Sequence, residues 1–291
     1  MGLLRDPELV ASFSTLAGAP PSQPSRYPFA DRVAAAAKAG FRGIGLSVDD
    51  AERVRAGGCS NRAMLDVLAR HGVRVTDLQG VTSWPSDGRH PSARRADEDR
   101  VYALADVFGS RMFSVCVVCA AGEMPTVEAM AERFAAVCDR AAEHGLTVGL
   151  EPIVLGGLTH VTQAAEVITR AGRPNGGVTV DLYHVFRAGS AGRAPFAGLS
   201  AEQVCAVHLA DAAAEPQGSL ADDCFHHRRI PGEGAAPLAD RLVDLHAMGV
   251  DVPVSVEIHS DELRALGVED AAMRAARGTR AVIAEACAAS A

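Results

Sequence analysis

The chain has 291 residues, 48% of them apolar and 22% charged, a soluble globular profile with enough material for one large barrel. Its net charge of -8 argues against a general footprint for nucleic acid or anionic membrane. The N-terminus lacks the long apolar stretch of a secretory signal, no run approaches a membrane span, and seven scattered cysteines do not read as a disulfide framework, so a reducing cytoplasm is expected.

In chain order, strands are predicted at ASFSTLA (11–17), FRGIGLSV (41–48), VRVTDLQ (73–79) and RMFSVCVV (111–118). Four more follow at TVGLEPI (147–153), GVTVDLYH (177–184), VCAVHLAD (204–211) and VPVSVEIHS (252–260). Helix-like stretches lie between them, and five end at Gly40, Gly72, Gly145, Gly172 and Gly249, where glycine serves as a C-terminal stop. Asn61 or Ser60, and Thr126, are candidate N-caps. Eight strand–helix alternations in this length predict a single α/β domain over residues 1–291, a (β/α)8 TIM barrel. No GxGxxG follows the first strand, so a dinucleotide fold loses its main support. The segments 18–28 and 186–200 read as loops over one end. CVVC (116–119) lacks a second CxxC and reads as buried strand cysteines.

Alternate residues of a barrel strand point inward. On the last four strands that parity turns Glu151, Asp181, His208 and Glu257 toward the lumen, near the strand C-termini where barrel enzymes build their sites. Each follows a small inward residue two positions earlier, Gly149, Thr179, Ala206 or Ser255, leaving room at the mouth. Three carboxylates and an imidazole in a low-dielectric pocket repel or shift one another strongly, and a divalent cation removes the conflict by accepting all four as ligands. Such a donor set suits Mn²⁺, Mg²⁺, Co²⁺ or Zn²⁺, with no thiolate to force zinc. Trp84, the sole tryptophan, follows the third strand and is a candidate substrate cap, core residue or loop anchor. Asp211 faces outward by parity and is a candidate support for the ligands, a helix cap or a surface ion pair.

At GLEP (149–152), VDLYH (180–184), VHLAD (207–211), GEG (232–234) and VEIHS (256–260) the sequence resembles the sugar phosphate isomerase/epimerase family of xylose-isomerase-like barrels. The resemblance implies a divalent metal, Mn²⁺ first, held by Glu151, Asp181, His208 and Glu257, with Glu151 and Glu257 also forming the acid/base pair. It implies that His184 contacts substrate oxygens and that an arginine of HHRRIPGEG, Arg228 in preference to Arg229, holds the substrate. The chemistry implied is proton abstraction next to a carbonyl through an enediolate, ending in isomerisation or epimerisation of a keto-sugar or polyol. The alternative outcome is dehydration of a cyclic keto-polyol such as an inosose or 3-dehydroshikimate, with His184, His226, His227 or His259 as the acid. A small polyhydroxy-carbonyl substrate is the expected partner, without nucleic acid or membrane, and homo-oligomer formation is left open. A metabolite binder without turnover and a DNA-repair endonuclease are disfavoured, the first by the intact ligand set and the second by the charge.

Overall fold

The computed structural model describes residues 2–84, 91–118, 124–189 and 194–290, with the side chains of 80–84 and 91–94 outside that description. Eight parallel strands close into a barrel in sequence order: β1 (Leu9–Ala11), β2 (Gly43–Ser47), β3 (Arg74–Trp84), β4 (Met112–Val117), β5 (Thr147–Glu151), β6 (Gly176–Asp181), β7 (Val204–Leu209) and β8 (Val254–Val256). Helices on the outside bury apolar faces against it, and Phe113, Phe134, Leu150, Val178 and Val180 are among the fully enclosed side chains. All five predicted stop glycines adopt left-handed φ angles, between 61° and 90°. Ser60 Oγ accepts the Ala63 N–H and Thr126 Oγ1 the Ala129 N–H, each at 3.2 Å, so Ser60 rather than Asn61 is the cap. Among the described residues, no helix is long and apolar enough to cross a membrane.

Four strands differ from their sequence expectation by more than two residues at one end, among them β3, which runs on to Trp84 instead of ending at 79. The predicted strand at 11–17 is β1 only as far as Ala11; Phe13–Leu16 form a helical turn. The turn still serves the sheet. Thr15 Oγ1 donates to the Val256 carbonyl (2.7 Å) and accepts the Ile258 N–H (2.9 Å), replacing a strand partner along β8. The sixth strand stops at Asp181 instead of running to His184, because Asp181 Oδ1 accepts the Tyr183 N–H at 2.7 Å and caps the helix Leu182–Arg187. Ladder geometry in the eighth is confined to Val254–Val256, so Glu257 lies just beyond it, its N–H donating to the Leu209 carbonyl at 2.9 Å.

The lower barrel interior is lined by small or polar side chains. Ser114 and Thr179 hydroxyls share a hydrogen bond of 2.7 Å, and a Cβ on Gly149 would fall 2.2 Å from Thr179 Oγ1. That layer forms the floor beneath the strand-end polar groups.

Candidate metal centre at the barrel mouth

Strands β5 to β7 deliver Glu151, Asp181 and His208 at their C-terminal ends, and Glu257 follows β8 directly. One ligand atom from each lies within 4.8 Å of all the others. His208 Nδ1 is 3.4 Å from Glu151 Oε1 and 3.7 Å from Glu257 Oε2. This nitrogen is buried and makes no hydrogen bond, although two carboxylates face it. A buried imidazole nitrogen without a bond, facing three oxygen donors, is the arrangement a divalent cation satisfies and a packed protein core otherwise avoids. The residues therefore fit such an ion.

The electrostatics separate the two glutamates. Burial raises the Glu151 pKa, with His208 opposing. Burial pushes Glu257 the same way, but the nearness of His208 and the charges of His208 and Arg228 outweigh it and hold the group well below the usual carboxylate range. His208 is driven well above the ordinary histidine value, its burial overcome by both glutamates.

Arg228 lies inside this cluster, 3% exposed. Its Nη1 donates to Asp181 Oδ2 (2.8 Å) and Glu257 Oε2 (3.4 Å), and its Nη2 lies 3.3 Å from His184 Nε2. The guanidinium sits 4.3 Å from the Tyr183 ring centroid, a cation–π contact, and its Nε donates to the Cys224 carbonyl. Arg229 points away, to the Glu233 carbonyl. Position in the chain could not separate the two arginines; the antiparallel bridge of Asp211 with Arg229 does, by fixing which side chain turns inward.

His184 is 4% exposed, with Nε2 3.7 Å from Asp181 Oδ2 and Nδ1 accepting the Val154 N–H at 3.4 Å. Burial first, and Arg228 next among the groups that lower it, bring its pKa down to about 4, so the ring is neutral at pH 7. His226 is tied to Asp261 at 3.1 Å on the rim and His227 pairs its backbone with Ser260, so neither joins the cluster. His259 is 8% exposed, edge-on to Phe225 with centroids 5.9 Å apart. Trp84 ends β3, and its side chain lies outside the described residues, as does Cys119 of the CVVC run.

Asp211 is neither a helix cap nor a surface ion pair. It is 2% exposed, and its carboxylate accepts the N–H groups of Ala212, Gly232, Gly234 and Ala236 at 2.8–3.0 Å. It thereby moulds the GEG loop after Arg228. A Cβ at Gly234 would come within 2.3 Å of Asp211 Oδ1 and of the Ala212 carbonyl, so glycine is required by the close approach.

Three contributors from the first half of the chain escaped the sequence reading. Gln79 Nε2 donates to Glu257 Oε1 at 2.9 Å, and Ser12 Oγ approaches the same oxygen at 3.4 Å. Asp77 is 7% exposed; burial, with Glu257 adding to it against His208, pushes its carboxyl up to about 6. The one available signal was the inward parity of Asp77 and Gln79 on β3.

A family model described as xylose isomerase-like TIM barrel matches residues 33–282. A 3-dehydroshikimate dehydratase of Pseudomonas aeruginosa is 27% identical over 237 residues, covering 81% of this chain and 37% of that protein. The chain thus spans little over one third of that relative's length. An inosose isomerase of Bacillus velezensis is 29% identical over 155 residues, 53% of this chain and 54% of its own. Among solved structures, the IOLI protein with a binding zinc atom matches with a TM-score of 0.82 at 18% identity, over 95% of this chain and 98% of that one. With a closed eight-stranded barrel, four strand-end donors converging at its mouth and a family match over most of the sequence, the chain belongs to the xylose isomerase-like TIM barrel family.

Proposed function

We propose that the protein is a divalent-metal-dependent enzyme that abstracts a proton next to a carbonyl in a small polyhydroxy substrate, and that the outcome is dehydration of a cyclic keto-polyol. The observation that carries the reading is the convergence of Glu151, Asp181, His208 and Glu257 within 4.8 Å. These four would hold the ion, Mn²⁺ or a similar cation. Once bound, it supplies Lewis-acid stabilisation of negative charge on a substrate oxygen.

The remaining chemistry belongs to side chains. Two carboxylates whose environments push their pKa values apart are the usual basis of an acid/base division of labour. Glu257, held ionised, is suited to take the proton from carbon; Glu151, whose pKa burial raises, is the better suited of the two to give one back. As the C–H proton passes to the carboxylate, the electron pair forms an enolate and then expels the hydroxyl beta to it. That hydroxyl leaves as water when Glu151 donates a proton, while the neutral His184 is left to contact substrate oxygens. Arg228 and Tyr183 fix His184 and Asp181 in place.

Dehydration is placed ahead of isomerisation because the dehydratase relative aligns over 81% of this chain and the isomerase relative over 53%. The isomerase reading shares the first step and differs only in where the proton returns. Incubation of the manganese-loaded protein with ketoses, inososes and 3-dehydroshikimate in D₂O separates the two. A new enone or aromatic absorbance supports dehydration, and solvent deuterium in recovered substrate with no absorbance change supports isomerisation. Neither signal from any member of the panel would overturn the proposal.

A further inference from the structure

The end of the barrel opposite the metal centre holds a cavity of about 420 Å³, within the range of small-molecule pockets. It opens among the N-terminal ends of β3 to β8, and Val75, Met112, Val204 and Pro253 give it a carbon lining. Its inner end meets the underside of the hydroxyl floor. A Cβ on Gly149 would fall 3.0 Å from both Met112 Cε and Cys205 Sγ, which line the cavity, and 2.2 Å from Thr179 Oγ1, which belongs to the floor. The Ser114–Thr179 pair therefore separates this cavity from the four strand-end donors above. Barrel enzymes carry out their chemistry at the other face, so the proposed reaction leaves the cavity without a role.

Two guanidiniums line the same cavity, Arg74 and Arg111. Arg74 is committed to Glu8, whose carboxylate is buried beside β1. Glu202, the one carboxylate among the lining residues, is drawn to its own helical turn, where the nearness of its backbone N–H and of the Ser200 hydroxyl lowers its pKa. Arg111 is different. It is exposed and, among the described residues, has no hydrogen-bond or ion-pair acceptor. A guanidinium fork is built to grip an oxyanion, and here it borders a pocket walled mostly by carbon. A bare inorganic ion would leave the lining unfilled, and an uncharged apolar molecule would leave the fork unused. The match is a molecule with an anionic head and an apolar body.

We propose that the foot of the barrel is a second ligand site, in which Arg111 holds the head of a small organic anion and Val75, Met112, Val204 and Pro253 receive its apolar body. The site stands apart from the metal centre and is independent of the reaction proposed above.

The test is calorimetric binding of cyclohexanecarboxylate to the manganese-loaded protein, with cyclohexylmethanol as the uncharged counterpart and inorganic sulfate as the bare ion. The expected result is acid binding at least about tenfold tighter than the alcohol, with sulfate a poor competitor. Arg111→Met should erase that difference. Its side chain is exposed, so the variant is expected to fold, and circular dichroism checks this; should it unfold, Arg111→Gln carries the same comparison. Glu257→Gln, altered at the other end of the lumen, should leave acid binding within about twofold. No detectable binding, equal affinity for acid and alcohol, or a preference that survives in Arg111→Met would overturn the site. So would sulfate competing as well as the acid, which would make it a place for an adventitious ion only. Loss of acid binding in Glu257→Gln would also overturn it, by placing the ligand at the mouth instead.

Discussion

Arg228 Nη1 lies 2.8 Å from Asp181 Oδ2, and both groups are almost wholly enclosed. A guanidinium thus partners the carboxylate that, together with Glu151, His208 and Glu257, is proposed to receive a cation. Burial acts to raise the Asp181 pKa, and the charges of Arg228 and His184 reverse that effect and keep it lowered.

Removing this arginine tests how the cluster balances its charge. Arg228→Met should destabilise the metal-free protein by about 3–5 kcal/mol, the usual consequence of stranding a buried carboxylate. Saturating Mn²⁺ should restore much of that loss, because the cation takes over the neutralising role. Thermal melts with and without Mn²⁺ measure it. Equal destabilisation in both conditions would mean that no ion binds beside Asp181.

Glu257→Gln keeps the shape and the Gln79 contact but removes the charge. Turnover is expected to fall by about a thousandfold or more, the scale of losing a catalytic base, and the ion content from about one per chain toward none. Elemental analysis alongside the assay reads both. Full activity in this variant would sink the two-carboxylate mechanism.

Cation affinity should rise with pH. The folded-state pKa of His208 is raised well above its ordinary value, so the metal-free protein holds that proton at neutral pH and a bound ion must displace it. Below that pKa the apparent affinity should gain about tenfold per pH unit, with about one proton released per ion. Chelator competition between about pH 6 and 8 checks the slope. A flat profile would contradict the proposed role of the imidazole.

Asp223 anchors the segment that carries Arg228. It accepts Tyr183 Oη at 2.6 Å, Arg187 Nε at 2.7 Å and the Gln217 N–H at 2.8 Å, with Arg187 and Asp223 both buried. Burial opposes its ionisation, but the Arg187 and Tyr183 hydrogen bonds lower its pKa. The stability it provides is complete above the unfolded-state value near 4 and is lost as pH falls through the lower folded value. Asp223→Asn should cost about 3 kcal/mol at pH 7, and the deficit should shrink in acid. Urea melts at two pH values measure this; a pH-independent deficit would assign the effect to packing.

The barrel and its four donors were legible because both rest on repetition. Strand–helix alternation announces the fold, and a polar residue two positions beyond a small one recurs on four successive strands. Strand ends were less legible, since they depend on side chains that compete with the ladder. Asp181 caps a helix two residues on, and Thr15 replaces a strand partner from within a helical turn. Gln79 and Ser12 escaped notice because each is a common polar residue whose meaning lies in reaching Glu257 across the lumen.

The seam where β1 meets β8 has a consequence for synthesis. Val10 pairs with Ser255, and Thr15 clasps Val256 and Ile258, contacts that join points about 245 residues apart. Glu257 sits at that seam, so a nascent chain cannot bring its fourth donor into place until β8 has left the ribosome. Ring closure and acquisition of the cation would then be one late event, and a chain truncated before β8 would emerge without either.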